Sequence, residues 1–302
     1  MDPIFAKSVL WIRNIEVFFG AVEMAQIIEK FGRKNREGIV SLRCSLVKVI
    51  ARTLESCTKF PVKDGVCSSP REYRAFVEML SQFESSNVSG PPPFSFITFN
   101  YDVALDFALR NETGFGIDYC LMEDTDEQRY PYLKLHGSIS WGLCDECGRI
   151  TPINVDQSRC SSSIQEGFAD FRFSAVIPVE ACIHCSKLLS SVALVPPTWN
   201  KTHYQGLSNI WRRAAEEFAK AENIFIIGYS MRETDVFFRY LFSLGSQGKT
   251  RLRNFWVFNP DPQLETRFRT MVSKNVDFKF HPVRFAMAIG IIGQELGKGF
   301  ES

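Results

Sequence analysis

The stretch Phe94-Ser95-Phe96-Ile97-Thr98-Phe99-Asn100-Tyr101-Asp102 decides the fold class. Its first six residues are mostly aromatic and β-branched and stop abruptly at Asn-Tyr-Asp, which reads as a short buried strand with polar residues at its carboxyl end. Val103 to Leu109 continues at helical spacing, so strand gives way to helix almost at once. The texture recurs downstream. Tyr132 to Leu135 reads as a strand ending at His136, Val192 to Val195 as one stopped by Pro196-Pro197, and Ile224 to Ile227 as a fourth. Phe255 to Phe258 is a fifth and Val276 to Phe280 a sixth. Helices are expected from about Tyr204 to Ala221, from about Thr234, and from about Gln263 to Val272. Short apolar strands alternating with helices predict a parallel α/β sheet with helices on both faces.

Upstream, residues 1–90 read as helical. Ile15, Phe18, Phe19, Val22 and Met24 sit near helical period, as do Ile39, Leu42, Leu46, Val49 and Ile50, and Tyr73 to Phe83 forms a third stretch. Ser85 to Pro93 closes this region as a loop. Polar clusters follow the strand ends at Asn100-Tyr101-Asp102, His136-Gly137-Ser138, Gly228-Tyr229-Ser230 and Asn259-Pro260-Asp261. Open α/β sheets bind ligands just beyond the carboxyl ends of their strands, so these clusters mark a ligand crevice.

Lys plus Arg is 35 and Asp plus Glu is 34 in 302 residues, a net charge of +1, so no global pull on nucleic acid or an anionic membrane is expected. Apolar runs are too short for a transmembrane helix and no signal pattern opens the chain, so a soluble, cytoplasmic protein is expected. Nine cysteines rule out a fully paired disulfide framework. Cys144-Asp145-Glu146-Cys147 and Cys182-Ile183-His184-Cys185 instead form two knuckles with 34 residues between Cys147 and Cys182. The usual gap is about 15–20 residues, so this one carries an insertion, which holds Cys160 and Ser161 to Ser163. Four thiolates make a closed tetrahedral site for structural zinc, a chemistry suited to a reducing compartment. His184 is the alternative ligand, and unrelated free thiols the bland alternative.

Phe99-Asn100-Tyr101-Asp102, Lys134-Leu135-His136-Gly137-Ser138, the paired knuckles, Gly228-Tyr229-Ser230 and Asn259-Pro260-Asp261 occur in the order seen in sirtuin-like proteins. Over about residues 95–262 the chain resembles the bacterial sirtuin-like group, with the run Gly228 to Asp235 as a further match. The resemblance implies a Rossmann-like NAD-binding core at residues 91–143 and 188–284, with a zinc module inserted at 144–187 and a helix or tail at 285–302. It implies cleavage of the nicotinamide–ribose bond of NAD. Asn100 would orient the attacking group, Asp102 fix the carboxamide end, His136 act as general base, Gly228 and Ser230 approach the phosphates and ribose, and Asn259 meet the adenosine ribose. An imidazole, with an unperturbed pKa near 6.5, suits proton transfer at neutral pH.

Two departures from the family shape the expectation. The Gly-Ala-Gly-x-Ser loop that cradles the NAD phosphates is not found; Phe19-Gly20-Ala21 sits inside a helical pattern, so the chain is expected to begin after that unit. The segment on which deacylases pair an acyl-lysine peptide is replaced by Leu194-Val195-Pro196-Pro197-Thr198-Trp199-Asn200-Lys201, whose prolines lack the donors for strand pairing. Water is therefore the expected acceptor. An NAD glycohydrolase, of the kind used in bacterial anti-phage defence, is the leading expectation. An NAD-dependent protein deacylase and a non-catalytic scaffold kept folded by zinc are the alternatives. NAD or a related nucleotide is the expected partner, and a homo-oligomer is compatible with the sequence.

Overall fold

The computed structural model describes residues 15–84, 93–112, 116–123, 128–160, 167–195, 205–231 and 236–300. The amino-terminal apolar spacing folds as α1 (Ile15–Ile27) and α2 (Arg36–Cys57). Asn35 caps α2, its side chain accepting the Gly38 N–H at 2.9 Å and so satisfying a donor the helix cannot reach. This region is not wholly helical, contrary to expectation. β1 (Phe60–Lys63) and β2 (Val66–Cys67) form an antiparallel hairpin. Its two-residue turn, Asp64-Gly65, has φ of 53° and 76°; positive φ at both positions matches the twist of a tight hairpin. α3 (Arg71–Glu84) follows.

The parallel part comes in two three-stranded blocks. In the first, β3 (Phe96–Thr98), β4 (Ile117–Asp118) and β5 (Tyr130–Lys134) lie in the order β3-β5-β4, with α4 (Ala104–Asn111) between β3 and β4 in sequence.

Here the chain departs from the expected all-parallel pattern. β6 (Gly137–Leu143) begins where the sequence reading ended a strand, and pairs antiparallel with β7 (Ile150–Pro152) and β9 (Ser191–Leu194). The Val192–Val195 strand thus belongs to an antiparallel ribbon and not to a parallel core. An apolar run specifies burial on both faces but not strand direction, which is why it misleads. Between them, β8 (Phe168–Ala169) pairs with β1, and α5 (Phe173–Val176) follows. Cys67 of β2 is joined to Cys160 in a disulfide, a pairing the reducing-compartment expectation did not include.

α6 (Gln205–Lys220) packs on β5 and on α7 (Val236–Gly245). The second parallel block is β10 (Asn223–Ile227), β11 (Asn254–Phe258) and β12 (Asp277–His281) in that order, with the short α8 (Glu265–Arg269) before β12. The expected helix over Gln263–Val272 is thus reduced to a 3-10 turn at Pro262–Leu264 and one helical turn and a half. α9 (Phe285–Phe300) is the last described element and packs on α3 and β10. Phe99 touches both parallel blocks: its ring lies 4.8 Å from Tyr229, stacked, and 5.7 Å from Phe238. The fold is therefore mixed α/β with small parallel sheets and an antiparallel ribbon. Among the described residues no helix is long and apolar enough to cross a membrane.

Candidate functional site

Register places the expected site residues. Thr98 pairs with Lys134, so Asn100 and His136 each lie two residues past paired strand ends. Ile227 pairs with Phe258, so Gly228 and Asn259 each lie one residue past theirs. The Phe99–Tyr229 stack brings the two edges together. Asn100 is exposed, and its backbone N–H donates to Thr98 Oγ1 at 3.0 Å. His136 is buried, with the centre of the Phe99 ring 4.9 Å away, steeply tilted to it, and that of the Tyr101 ring at 5.9 Å. Gly228 has φ of +68° and nothing within 4 Å of where a Cβ would stand, so its backbone is open to a close-approaching ligand. Ser230 is half-buried beside it.

Two expected ligand contacts are engaged inside the protein. Asp102 Oδ1 accepts the Ala104 N–H at 3.0 Å and closes the turn that leads into α4. Asn259 donates from Nδ2 to the Tyr229 carbonyl at 3.2 Å and accepts the Asp261 N–H at 2.9 Å, so it ties the β10 and β11 exits to each other. Both therefore hold loops in place. Pro196, Pro197 and Asp235 lie outside the described residues.

Sequence reasoning missed the support beneath these loops. Lys134 and Asp106 are fully buried and paired at 2.9 Å. Asp106 also accepts from Tyr119 at 2.6 Å and Tyr132 at 3.2 Å. Burial, reinforced by the Asp106 charge, pushes both phenols well above their ordinary range, so they stay donors. The Lys134 ammonium also donates to the Asp102 carbonyl at 2.5 Å, pinning the Asn-Tyr-Asp loop to the strand that carries His136. The signal was a lysine inside the apolar run Tyr132-Leu133-Lys134-Leu135.

The second centre is the cysteine quartet. The four sulfurs lie within 4.8 Å of one another, with Cys144–Cys185 at 3.5 Å and Cys147–Cys182 at 3.6 Å. Zn–S bonds of about 2.3 Å in a tetrahedron put sulfurs about 3.8 Å apart, so the quartet fits one zinc ion. The two knuckles share one backbone pattern. The Cys144 N–H donates to the Arg149 carbonyl and the Gly148 N–H to the Cys144 carbonyl; Cys182 repeats this with Lys187 and Ser186. Gly148 and Ser186 both take positive φ, 68° and 60°, to close their turns. Burial opposes ionisation of Cys182, but the His184 N–H, the Thr151 hydroxyl and the Cys185 N–H hold it down at about 6. His184 itself turns away, with Nε2 3.2 Å from the Ile150 carbonyl oxygen, and is not a fifth candidate ligand. No protein-family model matches the chain, and no curated protein matches it.

Proposed function

We propose that this protein hydrolyses the nicotinamide–ribose bond of NAD, using Asn100 and His136, in the cytoplasm and in a setting such as bacterial anti-phage defence. The observation that carries the reading is the placement of exposed Asn100 and aromatic-walled His136 side by side at one carboxyl edge, two residues past a paired register position. Departure of nicotinamide leaves oxocarbenium-like charge on the sugar. The neutral Asn100 amide orients a water molecule toward that carbon without competing as a nucleophile. As the carbon–nitrogen bond breaks and the water oxygen bonds to carbon, His136 accepts the water proton. The products are nicotinamide, ADP-ribose and one proton. The Phe99 and Tyr101 rings keep bulk solvent off the imidazole. Open Gly228 lets the backbone approach a phosphate or ribose, with Ser230 beside it. Zinc, held by Cys144, Cys147, Cys182 and Cys185, would have a complete thiolate shell and serve to fix the module.

The test is nicotinamide release from NAD by the purified full chain, with no acylated peptide present. Asn100→Ala and His136→Ala should each lower the rate by about 100-fold or more, with melting temperatures close to the parent's. Release that strictly requires an acyl-lysine peptide would overturn the reading in favour of a deacylase. A parent that releases none, or two variants within about threefold of an active parent, would overturn it as well.

A further inference from the structure

We infer that Tyr101 is the positioning residue for His136, acting through the backbone of Val195; the inference rests on the proposed NAD cleavage at this site. Tyr101 lies between Asn100 and Asp102, yet its side chain is half-buried. Its hydroxyl donates to the Val195 carbonyl at 2.9 Å. The N–H of Val195 in turn donates to the His136 carbonyl at 2.9 Å, and the Tyr101 carbonyl accepts the Ile139 N–H at 3.0 Å. These three hydrogen bonds and the chain from His136 to Ile139 thus close residues 101, 136, 139 and 195 into one ring. Within that ring the Tyr101 side chain lies 5.9 Å from the imidazole at 32°, while Phe99 meets it at 4.9 Å and 69°. Two aromatic rings thus lie against the imidazole. One of them is tethered through its hydroxyl.

The hydroxyl is separable from the ring. Phenylalanine keeps the volume and both ring contacts but leaves the Val195 carbonyl without the Tyr101 donor. A tether that sets catalytic geometry affects turnover more than ground-state binding, because small misplacements at the reacting centre are costly. Residues that act as a unit are also non-additive, so loss of the tether should matter only while the imidazole is present.

The experiment compares Tyr101→Phe with the zinc-loaded parent, alone and in the His136→Ala background. Expected are a fall of about tenfold in kcat with KM for NAD within about twofold, an almost unchanged melting temperature, and no further loss when His136 is already alanine. Hydrogen exchange supplies a readout free of activity. The Val195 amide should exchange at least about fivefold faster in Tyr101→Phe, while β11 (Asn254–Phe258) should not change. If the parent cleaves no NAD, the proposed function fails, and exchange at Val195 together with the His136 imidazole resonances decides the tether alone. Exchange at Val195 within about twofold of the parent overturns the inference. So does an unchanged kcat in an active parent, or an equal loss in both backgrounds.

Discussion

Lys134→Met is the most discriminating perturbation of this fold. The ammonium is fully buried, 2.9 Å from the Asp106 carboxylate, which is itself fully buried. It also donates to the Asp102 carbonyl at 2.5 Å. Methionine fills most of the same volume, so the packing loss is small. What remains is a carboxylate supported by two phenols, at 2.6 and 3.2 Å, without the ammonium that was paired with it. Removing one partner of a buried ion pair costs about 3–5 kcal/mol, because the desolvated charge left behind is uncompensated. Against a total stability of about 5–15 kcal/mol, that is a large fraction. The double variant Lys134→Met/Asp106→Asn removes both charges while keeping an acceptor for Tyr119 and Tyr132. It should recover more than half of the loss, since a buried pair is worth little against a neutral replacement of similar shape. The assay is denaturant unfolding of each zinc-loaded variant, read as a shift in midpoint at constant slope. A single-variant cost under about 1 kcal/mol would refute the claim that this pair is an ionised, desolvated unit. A double variant that loses as much as the two singles added together would do the same.

Two other outcomes follow from geometry. Metal analysis of the well-folded chain should find about one zinc, and Cys182→Ser should release it and lower the melting temperature strongly, since zinc sites of this kind contribute on the order of 10 kcal/mol; less than about 0.2 zinc per folded chain contradicts the quartet. Gly137→Ala should destabilise by about 2–5 kcal/mol, because φ there is +83° and the added methyl would run into the Ala193 carbonyl; an equilibrium-unfolding change under about 1 kcal/mol would show that the ribbon yields at that point.

How much of this could be read from the chain varies with the kind of signal. Five of the six expected strands recur in parallel pairings, because an aromatic and β-branched run flanked by polar residues leaves few alternatives. The paired knuckles were legible through spacing alone, since a Cys-x-x-Cys turn places its two sulfurs near one point. The β1–β2 hairpin was missed although Asp64-Gly65 is a strong two-residue turn signal, because its strands are too short to show alternation. β6 was missed because Ser138 and Ser140 interrupt its apolar pattern; they are buried and bond to each other at 3.0 Å, so polarity in the sequence does not report exposure. The roles of Asp102 and Asn259 could not be separated by pattern either. A carboxylate or amide after a strand serves equally to meet a ligand or to hold its own loop, and here each accepts a backbone N–H of its own loop.

The missed strand changes how the two centres relate. β6 begins at the residue after His136 and ends at the residue before Cys144. A strand of seven residues spans about 23 Å, so one continuous segment joins the imidazole to the first sulfur. β9 returns antiparallel beside it, from the second knuckle toward Val195, with Gly137 opposite Leu194 at one end and Leu143 opposite Ser191 at the other. The cysteine quartet fastens the far end of this ribbon, and the Tyr101–Val195–His136 bonds fasten the near end. β7 pairs only with Trp141–Leu143 of β6, so toward His136 the ribbon narrows to two strands and needs packing or a staple to hold its register. The burial of Ile139, Trp141 and Val192 supplies the packing, and the four sulfurs supply the staple. A metal held by the quartet would therefore matter to His136 without approaching it, by fixing the register of the ribbon from which the histidine hangs.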